Sequence, residues 1–226
     1  MTEMNFETSV DRYHRILDRV VSSAHKARRD PSSVKLIAVS KTFEQSDIQP
    51  ILTEGHRSFG ENRVQEAKSK WPFFQSQYND LDLHLIGPLQ SNKVKEAVAL
   101  FENIHSIDRP KIAESVALEL RKNKRKINLF VQVNTGEEPQ KSGVAPREVG
   151  SFIKFCREDL KLDIYGLMCI PPLTEDPTNH FEMLSKLACE NSVLHLSMGM
   201  SEDFERAIAC GATHIRIGSA IFGTRE

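Results

Sequence analysis

The chain has 226 residues, and its 30 basic and 31 acidic side chains give a net charge of -1. This balance provides no global field that would favour nucleic acid or an anionic membrane as a partner. The N-terminal segment lacks a secretory apolar core and an acid-poor transit-peptide composition, and no run of about eighteen apolar residues follows, so we expect a cytoplasmic protein.

The four cysteines lie far apart without a C-x-x-C spacing, which indicates neither a disulfide framework nor a metal site. Residues 5–30 carry apolar side chains at helical spacing and predict an amphipathic helix before the first strand. Eight short apolar or β-rich segments then alternate with segments that carry helix signals. The predicted strands comprise residues 34–41, 57–62, 83–87, 103–108, 128–134, 163–170, 193–199 and 214–223.

This alternation is typical of repeated βα units. A doubly wound open sheet and a closed barrel both satisfy it, but the count of eight strands and the chain length favour the barrel. We therefore predict that residues 1–226 form a single α/β domain, a TIM-like (β/α)8 barrel with an N-terminal helix.

Lys41 ends the first predicted strand, VKLIAVSK. The apolar residues from Leu36 to Val39 fit a strand that is buried on both faces of a parallel sheet. A lysine at its carboxyl end either reaches water with a packed stem or is a desolvated amine that forms a Schiff base with a carbonyl compound. This stretch alone favours the first alternative.

Two segments near the end of the chain carry candidate phosphate ligands. In such a barrel the ligand site lies at the carboxyl ends of the strands, often with a phosphate site after strands seven and eight. Ser201 follows the seventh strand as a candidate helix N-cap, and Gly218 and Ser219 lie in the eighth segment. Their hydroxyl and N–H groups suit a phosphate, and the alternative is a capped helix with a glycine turn.

Arg216 lies between Ile215 and Ile217 in a strand that we expect to be covered on both faces. Burying a guanidinium without a partner is costly. Its partner is therefore either a structural carboxylate, such as Asp108 or Glu61, or an acceptor on a bound ligand.

Polar residues also occur at the ends of the second and third strands. Asn62 is a candidate N-cap, a role that a ligand contact does not exclude. His84 is more often an interior histidine with satisfied hydrogen bonds than a catalytic base. The loop 134–143 has the length of a functional loop or a turn, and the basic run 121–126 suits a solvated helix end better than nucleic-acid binding.

Seven motifs occur in order along the chain: LIAVSKT, FGENRVQEA, LHLIGPLQSNK, VNTGEEPQKSG, GLMCIPP, SMGMSEDFERAIACG and IRIGSAIFG. Together they resemble the pyridoxal-phosphate homeostasis protein family, from about Val34 to Arg225. The resemblance implies a fold type III barrel similar to the N-terminal domain of alanine racemase. Met198 and Ser219 depart from the leucine and threonine that the family often has, but both keep the general shape and hydrogen-bonding capacity.

The resemblance also implies the cofactor and its ligands. Lys41 matches the lysine that holds pyridoxal 5′-phosphate as an internal aldimine, and Arg216 matches the arginine that faces the pyridine nitrogen. The implied phosphate-binding residues are Ser201, Gly218 and Ser219, and the residues implied at the cofactor face are Asn62, His84 and Ile86.

The implied function is to bind, buffer or deliver this form of vitamin B6 with little or no catalysis, as a monomer whose candidate recipients are apo-enzymes. Because the last predicted strand ends almost at Glu226, we expect no room for the C-terminal domain that supplies a second acid/base group in related racemases. One alternative is an amino-acid racemase or decarboxylase with His84 or Tyr165 as the base. Another is a lysine aldolase acting on a phosphorylated sugar.

Overall fold

The computed structural model describes residues 7–223, in which eight parallel strands form a closed barrel in the order β1 to β8. The strands are β1 Lys35–Val39, β2 Ser58–Glu61, β3 Asp82–Leu85, β4 Asn103–Ile107, β5 Asn128–Val133, β6 Ile164–Cys169, β7 His195–Ser197 and β8 His214–Ile217. The predicted barrel and its eight strands are confirmed. Residues 1–6 and 224–226 of the predicted domain lie outside the described residues.

Helices surround the barrel. They are α1 Ser9–Lys26, α2 Gln45–Thr53, α3 Val64–Gln75, α4 Val94–Leu100, α5 Pro110–Asn123, α6 Val149–Lys154, α7 Pro177–Glu190, α8 Phe204–Ala209 and α9 Ser219–Phe222. A π-helical turn, Phe155–Asp159, continues α6. Within residues 7–223, no helix has both the length and the apolar character needed to cross a bilayer.

The predicted N-terminal helix is α1, and it packs against the outer helices α2, α8 and α9. A capping box between Thr8 and Asp11 fixes its first turn. Tyr13 and Ile16 are buried on its inner face, and the guanidinium of Arg12 donates to the carbonyl of Ile221 at 2.8 Å. The helix thus joins the first part of the chain to the segment that follows β8.

Side-chain alternation along β1 decides what reaches the barrel interior. Successive side chains of a strand point to opposite faces. Leu36 and Ala38 belong to the hydrophobic core between strands and helices, whereas Ile37 and Val39 are buried outside that core. The same alternation carries Lys41, two residues after Val39, towards the inside of the barrel mouth.

The last predicted strand, residues 214–223, is shorter in the structure. Only His214–Ile217 pair with β1, and α9 begins at Ser219. The backbone turns at Gly218, whose carbonyl accepts from the N–H groups of Ile221 and Phe222 at 2.9 Å each. An apolar run such as AIF does not by itself distinguish a strand from a buried helical turn, so this boundary was wrong.

Candidate ligand-binding site

A cavity of about 720 Å³ opens at the carboxyl ends of the strands. Seven of the eight sequence-predicted site residues line it: Lys41, Asn62, Ile86, Ser201, Arg216, Gly218 and Ser219. They come from the ends of five strands, so the closed ring is what brings them together. The eighth residue, His84, is fully buried and does not belong to the cavity lining, so its predicted place at a ligand face is not supported.

The turn after β1 presents Lys41 to the cavity. Thr42, the next residue, has a φ of 63°, a left-handed conformation that is strained for a β-branched side chain. Its N–H donates to the Glu66 carboxylate from α3. The strain is therefore held by a specific bond from a neighbouring helix.

A buried ion pair supports the same turn from below. The ammonium of Lys70 lies 2.8 Å from Glu61, and it also donates to the carbonyls of Ser40 at 2.9 Å and Phe43 at 3.0 Å. Burial raises the pKa of Glu61, although Lys70 and hydrogen bonds from Ser40 and Trp71 oppose the shift. The backbone on both sides of Lys41 is thus fixed by residues of β2 and α3.

The hydroxyls of Ser201 and Ser219 face each other across the ends of β7 and β8. Their oxygens are 3.3 Å apart, and Ser201 also accepts from the N–H of Ala220 at 3.4 Å. The prediction that Ser201 caps the next helix is wrong. Helix α8 begins at Phe204 with Asp203 as its N-cap, and Ser201 belongs to the preceding turn at the cavity wall.

Arg216 places a positive charge at the cavity. Its side chain is buried, with the residue 4% exposed, yet it also contributes to the cavity lining. Its guanidinium donates to Ser197 Oγ at 2.7 Å and to the carbonyl of Cys169 at 2.9 Å. Burial lowers the pKa of Arg216, but a guanidinium stays protonated in proteins.

The structural carboxylates proposed as partners of Arg216 are engaged elsewhere. Asp108 pairs with Arg109 at 2.6 Å, and Glu61 pairs with Lys70. Among residues 7–223, no carboxylate oxygen lies within 4.0 Å of the Arg216 guanidinium nitrogens. The charge is thus available to an acceptor in the cavity.

Close backbone packing positions the wall formed by β2 and β3. Helix α3 begins at Val64 with Arg63 as its N-cap, so Asn62 does not cap it and instead lines the cavity. A Cβ at Gly87 would lie 2.3 Å from the Asn62 carbonyl oxygen. The third strand can approach Asn62 only because residue 87 is glycine.

The loop 134–143 closes another part of the wall. Asn134 donates from its amide to the carbonyl of Glu138 at 2.9 Å, and the ammonium of Lys141 donates to the carbonyl of Pro171 at 3.2 Å. Lys141 also lines the cavity and pairs with Glu138. The sequence showed this loop to be polar, but no local signal placed Lys141 opposite β1.

The side chains in the cavity suit one kind of ligand. A lysine amine, two facing hydroxyls and a buried guanidinium match a small molecule with a carbonyl group, a phosphate and a further hydrogen-bond acceptor. Tyr165, a candidate base, is not part of the lining and stacks on His195 at 3.8 Å between ring centres. In the described part of the chain, no three His, Cys, Asp or Glu side chains are arranged to hold a metal ion.

The chain is similar to known proteins over most of its length. Residues 17–226 match the family model described as alanine racemase, N-terminal domain. The chain is 37% identical over 221 residues to the pyridoxal phosphate homeostasis protein of Pasteurella multocida, covering 93% of this chain and 95% of the relative. Identity to the protein of the same name from Escherichia coli K12 is 36% over 220 residues, covering 93% and 94%.

Solved structures are also similar to this chain. PipY of Synechococcus elongatus, solved with PLP bound, is 35% identical with a TM-score of 0.79, and the match covers 92% of this chain and all of PipY. Alanine racemase from Corynebacterium glutamicum is 16% identical with a TM-score of 0.64, covering 92% of this chain and 61% of the racemase, a likeness that shows the fold alone.

Proposed function

This chain belongs to the pyridoxal phosphate homeostasis protein family, and from that membership we propose that it binds pyridoxal 5′-phosphate in the cavity at the carboxyl end of its barrel. The observation that carries the proposal is the meeting of Lys41 with Ser201, Ser219 and Arg216 in one cavity. These four side chains fit the aldehyde, the phosphate and the ring nitrogen of this cofactor.

Each residue has a separate task in this proposal. Lys41 supplies the amine for a covalent linkage, and Ser201 and Ser219, with the backbone at Gly218, hold the phosphate. Arg216 donates to the ring nitrogen. Asn62 and Ile86 line the cofactor face.

We propose storage and delivery of the cofactor rather than amino-acid turnover. Pyridoxal phosphate supplies an electron sink when it is bound to an enzyme. Arg216 does not give up its proton, so it would donate to an unprotonated ring nitrogen and would leave the cofactor a weaker electron sink. Neither His84 nor Tyr165 lines the cavity, which leaves the two bases considered from the sequence away from any bound ligand.

The alternatives have their own assays. The chain is related in fold to alanine racemase, but a fold does not decide a reaction. Steady racemization or decarboxylation of an amino acid would favour an enzyme, and cleavage of a phosphorylated sugar would favour an aldolase. Four statements remain predictions. They are that residues 1–226 form one domain, that the protein is a monomer, that it is cytoplasmic and that apo-enzymes receive the cofactor from it.

Visible absorption, borohydride reduction and peptide mass mapping test the proposal. We expect a cofactor band on adding pyridoxal phosphate and a reduced adduct at Lys41, both lost in Lys41→Ala. Lys141→Ala is the matched control, because it removes another lysine of the same cavity and should leave the Lys41 adduct intact. An adduct only at other lysines, or none, would contradict the proposal.

A further inference from the structure

A chain of hydrogen-bonded side chains runs through the barrel interior from the cavity. Arg216 Nη1 lies 2.7 Å from Ser197 Oγ, and Ser197 Oγ lies 2.8 Å from His105 Nδ1. His105 Nε2 is 3.0 Å from His84 Nδ1, and His84 Nε2 is 3.2 Å from Asp82 Oδ2. Four contacts therefore join residues on β8, β7, β4 and β3.

The far end of this chain lies at the amino-terminal mouth of the barrel. Asp82 is the first residue of β3, and it pairs at 2.6 Å with Lys35, the first residue of β1. Asn103 donates to Asp82 at 2.5 Å, and Ser58 Oγ lies 2.8 Å from His84 Nε2 and 3.4 Å from Asp82. The cavity and the opposite mouth are thus connected through buried groups.

Burial disfavours the charged form of the two histidines in this series of hydrogen bonds. It lowers the pKa of His84, although the Asp82 carboxylate opposes the shift, and it lowers the pKa of His105 well below its ordinary value, with the charge of Arg216 adding to the effect. A neutral imidazole has one donor and one acceptor nitrogen. Each histidine must therefore donate on one side and accept on the other.

The two ends determine the direction. Arg216 can only donate, so Ser197 Oγ accepts from it. His105 Nδ1 is the acceptor for the Ser197 hydroxyl within the described residues, and His105 Nε2–H then donates to His84 Nδ1. His84 Nε2–H points to the Asp82 carboxylate, which only accepts when ionised, directly or through Ser58.

The opposite direction fails at Ser197. There, His105 Nδ1–H would donate to a hydroxyl that already accepts from Arg216, and the hydroxyl proton would have no acceptor among residues 7–223. It would also turn the imidazole dipoles against both charges. The arrangement from cation to anion gives Ser197, His105 and His84 one donor and one acceptor contact each, and bonds aligned in this way polarise one another. The Asn103 amide, 3.4 Å from His84 Nε2, donates to Asp82 instead.

We propose that Ser197, His105 and His84 are positioning residues that hold the Arg216 guanidinium towards the ligand and connect it to Asp82 at the opposite mouth. The effect on a bound ligand rests on the proposed function, because Arg216 must face that ligand. The direction of the hydrogen bonds from Arg216 to Asp82 is a property of the ligand-free protein. The two parts are therefore tested separately.

Long-range proton–nitrogen NMR of the imidazoles tests the direction without a cofactor. In the ¹⁵N-labelled wild-type protein at pH 7, we expect His84 and His105 to be neutral with their protons on Nε2. His84→Gln and His105→Gln spectra assign the signals. A proton on Nδ1 of either ring, or a charged ring, would overturn the proposal even if pyridoxal phosphate binds.

Cofactor binding tests the positioning. His105→Phe keeps an aromatic ring against Phe130, whose centre lies 4.1 Å away, but removes both nitrogens. We expect about tenfold weaker pyridoxal phosphate binding and a shifted absorption maximum, since one net hydrogen bond corresponds to about this factor. Ser197→Ala should do the same, and Ser197→Thr, which keeps the hydroxyl, should restore the wild-type maximum.

Asp82→Asn tests transmission from the opposite mouth, because Asp82 does not line the proposed ligand cavity. We expect a smaller shift of the absorption maximum in the same direction as in His105→Phe. Asp80→Asn is the matched control. Asp80 is a neighbouring carboxylate that pairs with Arg57 and takes no part in the hydrogen bonds between Arg216 and Asp82. Identical spectra for Asp82→Asn and Asp80→Asn, or a wild-type maximum in folded His105→Phe, would overturn the positioning role.

Discussion

Lys70 and Glu61 form an ion pair of 2.8 Å inside the protein, with side chains that are 5% and 0% exposed. The same ammonium binds the carbonyls of Ser40 and Phe43, which flank the turn that carries Lys41. The orientation of the proposed cofactor lysine therefore depends on helix α3, none of whose residues line the cavity.

Removal of the buried ammonium should be costly. Lys70→Met leaves the Glu61 carboxylate without its cation, and we expect the free energy of unfolding to fall by about 3–5 kcal/mol, measured by urea denaturation. Lys68→Met, which removes an exposed partner of Glu96, should cost at most about 1 kcal/mol. Equal losses in the two variants would mean that the buried pair does not hold the turn.

Ser201 and Ser219 should contribute to binding only through the phosphate group of the cofactor. Ser201→Ala and Ser219→Ala should each weaken binding of pyridoxal phosphate by about tenfold or more, because a hydrogen bond to a charged group contributes about 1.5–3 kcal/mol. Binding of pyridoxal, which lacks the phosphate, should change little in a fluorescence titration. Ser142→Ala, at another cavity-lining serine, is the control. Equal weakening for both ligands would show that the serines do not bind phosphate.

A side chain at position 87 should destabilise the protein. In Gly87→Ala the new Cβ meets the Asn62 backbone at 2.3 Å, so the wall must shift, and we expect a loss of about 1–3 kcal/mol in unfolding free energy together with weaker cofactor binding. Gly150→Ala, inside α6, meets only the end of the Asn191 side chain at 3.2 Å. It should stay within about 1 kcal/mol of wild type. Similar stabilities of the two variants would contradict the close approach.

Acid should destabilise the protein through its buried histidines. Burial lowers the pKa of His56 to about 4, which the hydrogen bond to Ser58 only partly offsets, whereas an unfolded histidine titrates near pH 6.5. The unfolded chain therefore binds more protons between these values, and the unfolding free energy should rise with pH from about 4 to 6.5 and level off above.

The variant His56→Gln identifies this contribution. His56 accounts for at most about 1.4 kcal/mol per pH unit within that window, so His56→Gln should flatten the pH profile of the urea midpoint there. His214, with a pKa lowered to about 2, keeps part of the slope in the variant. An unchanged slope below pH 6.5 would show that His56 is protonated equally in both states.

Local patterns in the sequence predicted the barrel because hydrophobic runs and helix signals repeat with short spacing. They also placed Lys41, Arg216, Ser201 and Ser219 at strand ends, which a barrel necessarily brings together. The N-cap role of Ser201 was wrong because a helix can start two or three residues later without a change in composition.

Contacts between distant elements had no local signal. Lys70 reads as a surface lysine four residues after Glu66, and only the packing of α3 against β2 buries it. The partners of Arg216 were likewise not predictable, because Ser197 and Cys169 reach it from other strands. The sequence indicated that Arg216 needs an acceptor but not that a serine hydroxyl and a carbonyl provide two of them.

The pairing of β1 with β8 also decides when the site can exist during synthesis. Lys35 pairs with His214, 179 positions later in the chain. Lys41 follows β1, whereas Arg216 and Ser219 emerge from the ribosome much later. A nascent chain that has folded its first six or seven strands has the lysine but lacks the groups proposed to hold the ring nitrogen and the phosphate. Capture of the cofactor would then follow the final strand insertion, and a bound ligand would favour the completed ring over every partly folded form.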